Sequence, residues 1–251
     1  MTALLLVAHG SRHPGTAAVL EGLATSVRQA LSFASPSGGL AANGYDDQTP
    51  SSVRVVWLEL IEPSLDQACR DLKAEGEDSA IIVPLLFTEA FHRTVDLPEQ
   101  VEAATRDTGI SLETRDGLGL GEGVRRALLE RIGNTTDDVL IMAVGSSNAE
   151  ANGAIHAFAR DVDSVIPGQA TAAFTVAAPQ PLGIDAVLAA ARQAARMGRS
   201  LRVVPLFTAP GLLWDNVVNR AAEQFFPCEV TFADPLGDLL SNVVINRWSA
   251  Q

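Results

Sequence analysis

One pattern runs through this chain twice, and the repetition limits the folds open to it. Val139-Leu140-Ile141-Met142-Ala143-Val144-Gly145-Ser146-Ser147 restates the opening run from Ala3, with Gly145 and Ser146 standing where Gly10 and Ser11 stand. Val203 to Phe207, followed by Thr208, restates Val83 to Thr88, and Leu236-Gly237 restates Leu118-Gly119. The offsets are 135, about 120 and 118 residues. The drop after the first matches the size of a polar and small-residue tract, Ser35 to Ser52, found only in the first copy. Its five glycine and proline positions read as a mobile loop. A repeat this long is a duplicated unit with a core of its own, so the chain divides into a first copy over 1–134 and a second over 135–251.

Within each copy, short apolar runs alternate with segments of helical spacing. Ala3 to Ala8 is apolar without polar alternation, which fits a strand buried on both faces of a parallel sheet. Val19, Leu20, Leu23, Val27 and Leu31 mark a helix over Thr16 to Phe33, opened by Pro14. Val53 to Leu60 is a second strand, with a helix from Pro63 to Glu75. Ala80 to Phe87 is a third strand, and Ile110 to Glu113 a short fourth. Val95 to Thr108 and Gly121 to Ile132 are helical. The expected fold class is α/β: two flavodoxin-like, three-layer domains with parallel sheets, produced by internal duplication.

Composition narrows the partners. The net charge of −12 leaves no basic block to meet a phosphate backbone, so nucleic acid is not an expected partner. An anionic substrate would have to be met by local arginines. Cys69 and Cys228 lie far apart with no CxxC pair, which excludes a cysteine-built zinc or iron–sulfur site and points to a reducing compartment, the cytoplasm. The N-terminal apolar run is too short for a signal peptide, and no stretch approaches a membrane span.

The first strand runs into His9, at the carboxyl edge where open parallel sheets bind ligands. For a strand order of 2-1-3-4, the loops after strands one and three face one crevice. His92 follows strand three, and strand two ends with Glu59 and, shortly after, Glu62. Two imidazoles and a carboxylate with open positions suit an exchangeable divalent metal such as Fe²⁺, Co²⁺ or Ni²⁺, and not a closed structural site. In the second copy Val144 takes the place of His9, and Leu212 or Leu213 falls near that of His92. One copy carries the site while the other keeps only the framework.

These residues have a family likeness. His9-Gly10-Ser11-Arg12, the stretch Leu58-Glu59-Leu60-Ile61-Glu62-Pro63-Ser64-Leu65, Val83 to Phe87 with His92 and Asp96-Leu97-Pro98, and Gly117 to Leu120 closely resemble the class II tetrapyrrole chelatases, nearest to the two-domain sirohydrochlorin chelatases. The resemblance covers the first copy and, more weakly, the second. It implies ATP-independent insertion of Fe²⁺ or Co²⁺ into sirohydrochlorin in siroheme or cobalamin biosynthesis. It also implies His9 and His92 as metal ligands and proton acceptors, with Glu59 helping to hold the metal; Glu62 stands close enough in sequence to substitute, or only starts the helix at Pro63, where a carboxylate favours the dipole. One departure is Thr88-Glu89-Ala90-Phe91-His92, where the family more often has a glycine shortly before the histidine. Sirohydrochlorin bears many carboxylates, so Arg12, with Ser11 beside it, Arg54 and Arg93 are candidate substrate anchors. A duplicated chain is already a pseudo-dimer, which favours a monomer.

Other readings fare worse. Gly117 to Gly123 does not fit G-x-G-x-x-G in register, and no Walker A sequence is present, so no nucleotide is expected. Ser11 is not in a G-x-S-x-G elbow. His13 fits a helix-start role as well as substrate binding, and His156 reads as structural. A non-catalytic metal or tetrapyrrole carrier and phosphoryl transfer through His9 remain as alternatives.

Overall fold

The computed structural model describes residues 2–34, 49–88 and 96–250. The tract Ser35 to Gln48 and the segment Glu89 to Val95, with His92 and Arg93, lie outside the described residues. In chain order the elements are β1 (Thr2–Ala8), α1 (Thr16–Ala34), β2 (Val53–Trp57), α2 (Leu65–Ala74), β3 (Ser79–Pro84), α3 (Leu97–Thr108), β4 (Ser111–Thr114) and α4 (Glu122–Ile132). The second series is β5 (Asp138–Ala143), α5 (Ala149–Asp163), β6 (Ala170–Phe174), α6 (Gly183–Arg196), β7 (Leu201–Pro205), α7 (Leu212–Ala221), β8 (Val230–Phe232) and α8 (Ser241–Ser249). Every strand pairing is parallel, in the orders β2-β1-β3-β4 and β6-β5-β7-β8.

Burial follows the apolar pattern. Ala3 to Ala8 are all buried, as a central strand covered on both faces requires. Ala3, Leu5 and Val7 share a core with Leu65, Ala68, Cys69 and Leu72 of α2 and Leu97 and Ala104 of α3. The alternate side chains Leu4 and Leu6 point to the opposite face, where Leu20, Leu23, Ala24 and Val27 of α1 are also buried. Burial pushes the Cys69 thiol up to about 11, with the Asp66 carboxylate adding to the shift.

Several boundaries differ from the sequence expectation, each for a local reason. The second strand ends at Trp57 rather than Leu60, because the chain turns at Leu60 with φ +71°. The helix expected from Pro63 begins at Leu65: Ser64 is its N-cap, its side chain accepting from the Gln67 N–H. Helix α1 begins at Thr16, where the apolar spacing places it, and runs one residue past Phe33 to Ala34. Strand β3 ends at Pro84, although Leu85 N–H still donates to the Val7 carbonyl at 2.8 Å.

The chain forms two compact units, and their boundaries are not those of the sequence repeat. One unit takes in residues 1–119 and 238–251; the other is 120–237. Helix α8, from the second copy, therefore belongs to the first unit, where it lies against α1 and β3. Helix α4, from the first copy, lies against β7 and α5 in the second unit. An arginine fastens each exchanged helix. Arg247 of α8 donates from Nε to the Gly117 carbonyl at 2.8 Å and from Nη2 to the Leu118 carbonyl at 3.1 Å. Arg131 of α4 donates to the Leu236 carbonyl at 3.4 Å, and Leu236 is the repeat partner of Leu118. Among the described residues, no helix is long and apolar enough to cross a membrane.

Removing residues 238–251 strips the first unit of α8, including the buried Val243, Val244 and Trp248. A chain ending at Gly237 is expected to lose the first unit's cooperative unfolding transition in urea. Substituting Gly145 tests the framework separately. Its φ is +93°, and a Cβ there would lie 2.0 Å from the Val176 carbonyl oxygen. Gly145→Ala should cost at least about 2 kcal/mol, measured by denaturant unfolding.

Candidate functional site

At the carboxyl edge of the first sheet, the ends of β1 and β2 are laced together by backbone. Leu58 N–H donates to the Ala8 carbonyl at 2.9 Å, and Glu59 N–H to the His9 carbonyl at 3.1 Å. Gly10, at φ +113°, lets the two loops close up: a Cβ there would lie 2.0 Å from the Glu59 carbonyl oxygen. The lacing brings two side chains together. His9 Nδ1 lies 3.1 Å from Glu59 Oε1, with the side chains 38% and 52% exposed. The pair is thus preformed and open to solvent. Neutral imidazole and carboxylate are both ligands for a divalent metal, and each can also take up a proton.

Glu62, which sequence left as an alternative to Glu59, is used differently. Its Oε2 accepts from the Ser64 N–H at 2.7 Å, at the start of α2, where a negative charge meets the helix dipole. His13 also serves a helix start: its Nδ1 accepts from the Gly15 N–H at 3.0 Å, just ahead of α1. Ser11 Oγ accepts from the His13 N–H at 3.1 Å, and Arg12 is exposed on that loop. Arg54 does not reach this edge. It sits near the amino end of β2, where it donates to Ser52 and pairs with Glu75. His156 meets the ring of Phe174 edge-on at 5.2 Å, a packing contact. Among the described residues there is no group of three or more His, Cys, Asp or Glu placed to hold a metal; the third expected member, His92, lies outside them.

The second unit repeats this edge without its chemistry. Val176 N–H donates to the Val144 carbonyl at 2.9 Å, as Glu59 does to His9, and Gly145 approaches the Val176 carbonyl as Gly10 approaches that of Glu59. The backbone thus pairs Val144 with His9 and Val176 with Glu59. Sequence comparison of the two copies finds the first replacement; the second becomes visible only through this hydrogen-bond pairing. Here Asn152 fastens the loop, accepting from the Ser146 N–H and donating to the Ser146 carbonyl.

The CbiX family model matches residues 3–135 and again 138–250, which together take in nearly the whole chain. The chain belongs to the CbiX family. Among its relatives, the sirohydrochlorin cobaltochelatase of Sulfurisphaera tokodaii is 32% identical over 76 residues, 30% of this chain and 61% of that protein. The sirohydrochlorin cobaltochelatase of Saccharolobus solfataricus is 29% identical over 142 residues, 54% of this chain and 96% of that one. The matched stretch is thus less than two thirds of the first and nearly all of the second. Among solved structures, SirB from Bacillus subtilis with Fe³⁺ superposes with a TM-score of 0.70 at 18% identity, covering 98% of this chain and 94% of that one. A further SirB structure, described as a sirohydrochlorin chelatase in complex with cobalt, gives the same score at 19% identity. At these identities the structures establish the shared fold: two four-stranded parallel sheets, each in a chelatase-like domain.

Glu62→Ala removes only the acceptor at the start of α2. It is expected to lower stability by about 1 kcal/mol in urea unfolding while leaving Co²⁺ affinity, read by calorimetric titration, within twofold of wild type.

Proposed function

We propose that this protein inserts a divalent metal, Fe²⁺ or Co²⁺, into sirohydrochlorin without a nucleotide, with His9, Glu59 and His92 as metal ligands and proton acceptors. The observation that carries the reading is the solvent-open His9–Glu59 pair at 3.1 Å, on the sheet edge of a CbiX-family chain. Relatives named as sirohydrochlorin cobaltochelatases support the choice of substrate. The SirB structures with iron and with cobalt support either metal.

The chemistry asks little else of the protein. Insertion makes four metal–nitrogen bonds, breaks two pyrrole N–H bonds, and releases the metal from water and protein. A pair of weak, exposed ligands can hold M²⁺ without trapping it, leaving positions for the incoming pyrrole nitrogens. Metal held at the pair requires a neutral imidazole nitrogen and an ionised carboxylate. As the metal moves into the ring, imidazole and carboxylate are vacated and take the two pyrrole protons, which pass to solvent. Arg12 and Ser11, on the loop after β1, and Arg93 are proposed to meet the rim carboxylates, with Arg–carboxylate pairing fixing the macrocycle's orientation.

Absorbance spectra of sirohydrochlorin mixed anaerobically with Co²⁺ or Fe²⁺ test the proposal. The wild type should metallate the pigment far faster than buffer does. His9→Ala and His92→Ala should each lose about 100-fold or more in kcat, and Glu59→Gln about tenfold to 100-fold. Pigment binding with metallation no faster than buffer would instead make the protein a carrier.

A further inference from the structure

Leu60 occupies a position that its side chain does not favour. Its φ is +71°, a left-handed conformation that glycine and asparagine adopt far more readily than leucine. The turn is held on both sides: Ile61 N–H donates to the Glu59 carbonyl at 2.9 Å across Leu60, while that same carbonyl packs against Gly10. The side chain gains little in return, being 54% exposed. A single exposed leucine carries little information by itself. The second unit supplies the contrast. Ala177, at φ +52°, directly follows Val176 as Leu60 follows Glu59; the Val176 N–H donates to the Val144 carbonyl as Glu59 N–H does to that of His9, and the glycine contact recurs at Gly145. That turn is built with a methyl group alone. A branched apolar side chain in the left-handed position is therefore no requirement of the framework; it occurs in the unit that carries His9 and Glu59.

We infer that Leu60 is a substrate-contact residue, presenting its isobutyl group to the flat apolar face of the tetrapyrrole beside the metal-holding pair. This rests on the metal-insertion reading above. For metal to pass from Glu59 to the ring nitrogens, the ring must come within bonding reach of that carboxylate, and Leu60 is its immediate neighbour on a fixed turn. Macrocycle binding then buries apolar surface that free protein leaves in water. Strain tolerated at the rim of a site is consistent with selection for binding over stability.

Two variants separate this role from a structural one. Leu60→Gly removes both side chain and strain; Leu60→Asn keeps nearly the same size and accepts the left-handed backbone but replaces the apolar surface. Metal-free sirohydrochlorin is titrated into each by fluorescence, with Co²⁺ affinity and Tm measured in parallel. Both variants should bind the pigment at least tenfold more weakly, with Co²⁺ affinity within twofold of wild type and Tm unchanged or higher. Pigment affinity within twofold of wild type in both variants would overturn the inference. So would a loss of pigment affinity accompanied by equal loss of Co²⁺ affinity and a fall in Tm. A wild type that binds the pigment without metallating it would overturn the chelatase reading and leave the Leu60 comparison standing on pigment affinity. A wild type that does not bind it would overturn both.

Discussion

The structure turns on a close backbone contact, the approach of Gly10 to the carbonyl of Glu59. A side chain at residue 10 would collide with that oxygen, so only glycine lets the loops after β1 and β2 draw together. Once they do, the hydrogen bond from Glu59 N–H to the His9 carbonyl sets the register, and the two side chains meet at 3.1 Å. The site is therefore preorganised by main chain rather than by its own side-chain interactions. Exposed imidazole–carboxylate pairs contribute little to stability, so ligand chemistry can be changed at little structural cost. The second unit shows such a change: the same contact at Gly145 survives with Val144 and Val176 in place of the pair.

Duplication also explains how the chain is fastened. Each sheet leaves an apolar face that its own copy's last helix does not cover. Helix α8 returns to the first unit and α4 goes to the second, each with an arginine bonded to a carbonyl of the turn after the fourth strand. The Arg247 contact bears on the site's surroundings. It holds Gly117 and Leu118; Gly119 N–H in turn donates to the Leu86 carbonyl, in the stretch that follows β3. Helix α8 thus bears, through Gly117 to Gly119, on Leu86 just past the end of β3.

Much of this was legible in the sequence, and the rest was hidden for identifiable reasons. Unbroken apolar runs marked the buried strands, and the repeat marked the duplication, because both follow from burial alone. His9 was legible because it ends such a run. Its meeting with Glu59 depended on strand order, which local pattern does not contain. Glu62 read from the sequence either as a ligand or as a helix start; its carboxylate accepts from the Ser64 N–H at the start of α2, and the choice depended on where the turn at Leu60 points each glutamate. That turn was itself illegible: left-handed leucine runs against residue preference, and only the tertiary contacts on either side enforce it. The helix exchange was equally hidden, since an amphipathic helix fits either sheet and the sequence repeat is the same in both cases.

The most direct test of the central claim, that one edge of a duplicated framework holds the metal while the other has lost the ability, is a cobalt X-ray absorption spectrum combined with calorimetric titration under anaerobic conditions. One Co²⁺ per chain is expected, with imidazole in its coordination shell, and both the bound metal and the imidazole scattering should be lost in His9→Ala. Two equivalent Co²⁺ ions per chain, or a histidine-coordinated ion that persists unchanged in His9→Ala, would contradict it.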